Sequence, residues 1–107
     1  MDLHRLADLL AEQSAAGKPY LEFLRSEALS VGLYVLRAGD VDRQLPHRED
    51  EVYVVMAGRS QFAAGEETRE VKAGDTIFVA AGVPHRFHDI EAELRLIVVF
   101  APPESLP

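Results

Sequence analysis

A chain of 107 residues has the size of one domain. Its 48% hydrophobic and 27% charged residues are the balance of a globular protein, not of a disordered or fibrous one. A formal charge of -7 lacks the basic footprint that a polyanion requires, which argues against nucleic acid and acidic membrane surfaces as partners.

The N-terminal stretch MDLHRLADLL is broken by Asp2, Arg5 and Asp8, so it lacks the apolar centre of a signal peptide. No apolar run approaches the roughly 20 residues of a membrane span. A cytoplasmic location is expected. Leu3, Leu6, Leu9 and Leu10 recur at helical spacing behind Asp2, a candidate N-cap, and Gly17 and Pro19 supply the stop. This predicts a helical segment over 1–18, with His4 as a solvated surface residue.

Beyond Pro19 the period changes to alternation. Leu29, Val31, Leu33 and Val35 alternate with smaller or polar residues, the pattern of a half-buried strand. Short strands are expected at Val52–Met56, Gln61–Ala64, Glu70–Lys72, Thr76–Val79 and Leu94–Phe100, with turns at Gly39, Gly58, Gly65, Gly74 and Gly82. The run Ile77–Ala81 reads as a strand buried on both faces. Such a series predicts an all-β sandwich or barrel over 19–102. Residues 103–107 are expected to be a frayed tail.

With no cysteine in the chain, the metal-ligating and catalytic side chains reduce to four histidines and the carboxylates. His47 and Glu51 are four apart at the entry to the strand EVYVVM. Even spacing places Glu51 on one face with Tyr53 and Val55, and His47 joins it if the lead-in is extended. A carboxylate facing a barrel interior needs a partner for its charge, and a metal shared with imidazole is one. A solvated turn is the plain alternative for both residues, and Arg48-Glu49-Asp50 reads as such a turn.

Two spaced motifs widen the pattern. Gly39 is followed by five residues, Leu45, Pro46, His47, three residues, Glu51, six residues and Gly58. Gly74 is followed by five residues, Ala80, Ala81, Gly82, two residues, His85, three residues and Asp89. The pair closely resembles the two conserved motifs of the cupins, and the fifteen residues Arg59–Ala73 between them fit a short inter-motif region. The resemblance implies a single cupin double-stranded β-helix, a jelly-roll barrel, with a short N-terminal helix.

For the site, the resemblance implies metal ligands at His47, Glu51 and His85. The remaining position, a histidine in metal-binding cupins, is Leu45 here. Two imidazoles and one carboxylate suit Fe, Mn, Zn, Ni or Cu. Gln44 carries an amide oxygen, but strand parity directs it away from the site. His88, of opposite parity to His85, is expected to face outward. Tyr53, Phe87, Leu45 and Val55 are expected to line the pocket.

As a class, cupins include dioxygenases, isomerases, lyases and non-catalytic binding domains. The expectation is therefore a metal-dependent enzyme of dioxygenase, isomerase or lyase type acting on a small polar molecule; the alternatives are a non-catalytic small-molecule-binding or sensing module, with or without metal, and a structural or interaction protein whose barrel has lost its metal. Single-domain cupins commonly pair, so a homodimer is the expected assembly.

Overall fold

Two runs of alternating apolar residues form long strands that pair with each other from end to end. The computed structural model describes residues 1–105; Leu106 and Pro107, within the expected tail, lie outside the described residues. Its elements are α1 (Leu6–Ala16), β1 (Tyr20–Arg25), β2 (Ser30–Leu36), β3 (Asp50–Ala64), β4 (Glu67–Lys72), β5 (Thr76–Val79) and β6 (His85–Ala101). All pairings are antiparallel, in the order β1-β2-β6-β3-β4, with β5 also on β3. An antiparallel all-β domain carrying one short helix is what the spacing predicted.

The long strands β3 and β6 run from Asp50 opposite Ala101 to Ala64 opposite His85. Three register shifts between Val55 and Gln61 bend this ribbon, as bulges do. Gly58 sits inside the bend, whereas the sequence suggested a turn between two strands. Its φ is 99°, and a Cβ there would lie 2.3 Å from the Glu93 carbonyl oxygen. Only glycine allows both the dihedral and the close approach of β6. Asp89 is the one non-glycine with positive φ among the described residues, at 50°, a conformation that Asp tolerates better than most residues.

Inward-facing Leu94, Leu96, Val98 and Phe100 on β6 meet Tyr53 and Val55 of β3 in the core, which Phe62, Phe87 and Leu36 complete. Phe78 on β5 is 65% exposed, so Ile77–Ala81 is not buried on both faces. The strand alternates, with Thr76 and Phe78 exposed and Ile77 and Val79 turned inward, so one of its faces is open to solvent. The strand β1 has no clean alternation because its register shifts between Glu22 and Leu24. One such slip moves the following side chains to the other face.

At the N-terminus, α1 begins at Leu6, not behind Asp2; Arg5 is the cap and makes no side-chain cap bond. Leu9 is its one buried residue, while Leu3 is exposed. Gly17, with φ 70°, ends the helix and donates its N–H to the Gln13 carbonyl. No helix among the described residues is long and apolar enough to cross a membrane.

The C-terminal segment is held, contrary to a frayed tail. The Glu104 N–H donates to Ser30 Oγ at 2.9 Å, and Arg25 Nη2 donates to the Glu104 carbonyl at 2.9 Å. Ser105 Oγ donates to Glu49 Oε2 at 3.0 Å, which is why Glu49 is buried and not part of a solvated turn.

Candidate metal centre

Three segments converge at one end of the barrel. The β2–β3 connection carries Asp42, Gln44 and His47, β3 carries Glu51 and Tyr53, and the first residue of β6 is His85. The second motif helps to place the first: the Gly82 N–H donates to the His47 carbonyl at 2.7 Å, and the Ala81 N–H to Asp50 Oδ1 at 2.9 Å. Gly82 reaches this position with a φ of 81°, which glycine adopts without penalty.

His47, Glu51 and His85 each offer a ligand atom within 4.8 Å of the others. His85 Nε2 lies 2.8 Å from Glu51 Oε1, and His47 Nε2 lies 4.0 Å from the same oxygen. His85 Nδ1 donates to the Val83 carbonyl at 2.8 Å, which fixes the ring and leaves Nε2 facing the carboxylate. The Nε2 contact lacks hydrogen-bond direction, and Glu51 Oε1 is a buried oxygen with no hydrogen-bond partner. An orphaned buried carboxylate oxygen between two imidazoles is the chemistry of a cation site, so this donor set fits a divalent metal.

The charges respond to this enclosure. Burial works against a charged His85, but the Glu51 carboxylate and the Val83 carbonyl outweigh it and hold the imidazole above its ordinary value. Burial first, and the Glu51 carboxylate second, push the Tyr53 hydroxyl well above its usual range.

Sequence parity misplaced two neighbours. Residues 37–49 are not a strand, so alternation does not govern them. Leu45, expected in the pocket, is 78% exposed, whereas Gln44 turns inward. Gln44 Nε2 donates to Asp42 Oδ2 at 2.7 Å, which leaves Oε1 to face the site. There it accepts from His47 Nε2 at 3.0 Å and from the Tyr53 hydroxyl at 3.1 Å. Asp42 is buried and also accepts from the Tyr34 hydroxyl at 2.5 Å and the Phe87 N–H at 2.9 Å. Its short loop position, two residues from Gln44, offered no pattern that would have singled it out.

A cavity of about 150 Å3 opens beside these donors. Tyr20, Tyr34 and Tyr53 line it with Val98 and Phe100, and Glu51 and Glu104 bring carboxylates to its wall. Val55 and Phe87, expected on the wall, are enclosed in the core instead, with the Phe87 ring 5.1 Å from that of Tyr53. The cavity lies toward the Glu51 end of β3, beyond their reach. Gly32 makes room for Tyr20, whose ring a Cβ would meet at 2.2 Å, and the buried Tyr20 hydroxyl has no partner. His88 contacts Asp89 at 2.8 Å and stays outside the ligand group.

Glu104 was not foreseen. Its Oε2 lies 3.5 Å from His47 Nδ1, and burial together with Glu51 and Glu49 raises its carboxyl above the ordinary value. A sequence scan has no periodicity from which to place such a tail residue.

The sequence model of the family described as Cupin domain matches residues 32–100. The chain belongs to the cupin family. An uncharacterized protein of Streptomyces coelicolor is 50% identical over 105 residues, covering 98% of this chain and 100% of its own. The crystal structure of BH2720 from Bacillus halodurans is similar with a TM-score of 0.78 at 21% identity, over 100% of this chain and 85% of that one. DMSP lyase DddQ from Ruegeria pomeroyi shares the fold with a TM-score of 0.69 at 20% identity, over 82% of this cupin and 49% of the lyase chain. At these identities the two structures speak for the fold alone.

Proposed function

We propose that this cupin holds a divalent transition metal on His47, Glu51 and His85, and acts as a metal-dependent enzyme on a small polar molecule. The orphaned Glu51 Oε1 beside His85 Nε2 carries this reading. A bound metal ion would supply Lewis-acid polarisation of a substrate oxygen. The chain's own residues supply binding and proton handling. Tyr20 offers an unengaged hydroxyl to a ligand, and Glu104 is a carboxylate in the cavity wall outside the ligand group. A raised carboxyl beside the cavity is suited to general acid–base work.

The cavity also bounds the substrate. About 150 Å3 is well below the roughly 300–1,000 Å3 of drug-sized sites, so the molecule is small. Among the described residues the wall has no Lys or Arg, so an anionic group on the molecule would have to be met by the metal, with Glu51 engaged on the ion and Glu104 the one carboxylate left over. Isothermal titration of Mn, Fe(II) or Zn into chelator-stripped protein tests the metal; about one site per chain is expected, and none in His85→Ala. Metal-loaded protein is then incubated with a panel of small polar compounds. Product formation supports the enzyme, whereas a tight binder recovered unchanged would make this a binding module.

A further inference from the structure

We propose that Gln44 Oε1 is a fourth protein ligand of the metal site. The proposal rests on the metal reading above and extends it to a residue outside the His/Glu group.

Orientation is the first argument. The buried Asp42 carboxylate takes the Gln44 amide nitrogen at 2.7 Å, so the amide cannot turn without setting its oxygen against a carboxylate. Asp42 is itself anchored by the Phe87 N–H and the Tyr34 hydroxyl. The Gln44 oxygen is therefore aimed by partners on β2 and β6 as well as by its own loop.

Spacing is the second. Two ligands of one ion with bonds of about 2.1 Å stand roughly 3.0–3.4 Å apart between right-angle and tetrahedral geometry. Gln44 Oε1 lies 3.0 Å from His47 Nε2. The Tyr53 hydroxyl, 3.1 Å from each, links it to His85 Nε2. In the metal-free protein the Gln44 oxygen accepts the His47 Nε2 proton. When that proton leaves for a metal, both atoms turn lone pairs to the same point, and the contact changes from a hydrogen bond to a shared ion. Leu45, pointing into solvent, makes no competing contribution.

The resulting set of two imidazoles, one carboxylate and one amide oxygen is harder than one with a third imidazole. It shifts preference toward Mn, Fe(II) and Zn relative to Cu and Ni.

Co(II) serves as the probe. Full-length protein is labelled with 13Cδ-glutamine, which reports Gln13, Gln44 and Gln61 together. The expected result is a large Co(II)-induced contact shift at Gln44 alone. Gln44→Ala should weaken Co(II) binding by at least the roughly 10–100-fold that loss of an outer partner brings, and Leu45→Ala should leave it unchanged. Co(II) binding to the wild type with no contact shift at Gln44 would overturn the ligand role and leave the three-residue site standing. No Co(II) binding to the wild type would overturn the metal reading itself. The labelled wild type decides the matter even if Gln44→Ala fails to fold.

Discussion

Glu51 Oε1 and His85 Nε2 face each other at 2.8 Å, with both side chains 2% exposed. A buried carboxylate with an unpartnered oxygen costs stability unless a cation shares it. At a pH where His85 is neutral, Glu51→Gln should therefore leave the metal-free protein as stable as the wild type, or more so, while abolishing stabilisation by metal. At a free metal concentration of 100 Kd, the wild type should gain about 2.7 kcal/mol and the variant nothing. Thermal melts with and without Zn measure both quantities.

In the proposed centre, protonation of His85 would compete with metal. Its folded value is raised above 6.5, so in metal-free protein its charged form adds stability at low pH that is lost as pH rises through the folded value. Metal needs the neutral ring. Affinity should then fall as pH drops through a point above 6.5, with protons released on binding. Calorimetric titration in buffers of different ionisation enthalpy counts those protons, and an affinity flat across that window would contradict the assignment.

The Glu104 carboxyl is raised by burial and by its acidic neighbours, so its ionised form opposes folding at neutral pH. Glu104→Gln should be neutral or mildly stabilising in urea denaturation and should keep metal affinity. Its turnover, once a substrate is found, should drop by about 100-fold or more if Glu104 moves a proton.

Glycine positions separate turn from bend. At Gly58 a side chain meets the β6 backbone at 2.3 Å and the φ is 99°, whereas Gly39, with φ 80°, has open space around it. Gly58→Ala should cost on the order of 2–4 kcal/mol, and Gly39→Ala about 1 kcal/mol. Paired urea titrations give the difference directly.

The same contrast shows what a sequence can carry. Glu51, Tyr53 and Val55 share a face because β3 is a true strand, and period two is reliable there. His85 came from motif spacing, and it lies beside Glu51 because β6 pairs along all of β3. Parity failed for Gln44 and Leu45 because the chain from residue 37 to 49 is not a strand, and its course is set by Asp42 and by the Gly82 N–H on His47. Those guides are contacts between distant segments, which no local pattern encodes. A bulge hid β1, and long-range hydrogen bonds alone placed Glu104 beside His47.

Elemental analysis of protein purified without chelators tests the central claim most directly, combined with anomalous scattering at the point between His47, Glu51 and His85. About one transition-metal ion per chain, with its anomalous peak among these three side chains, is the predicted result. Well under one metal per chain, with a melting temperature unmoved by added Mn, Fe(II) or Zn, would contradict it.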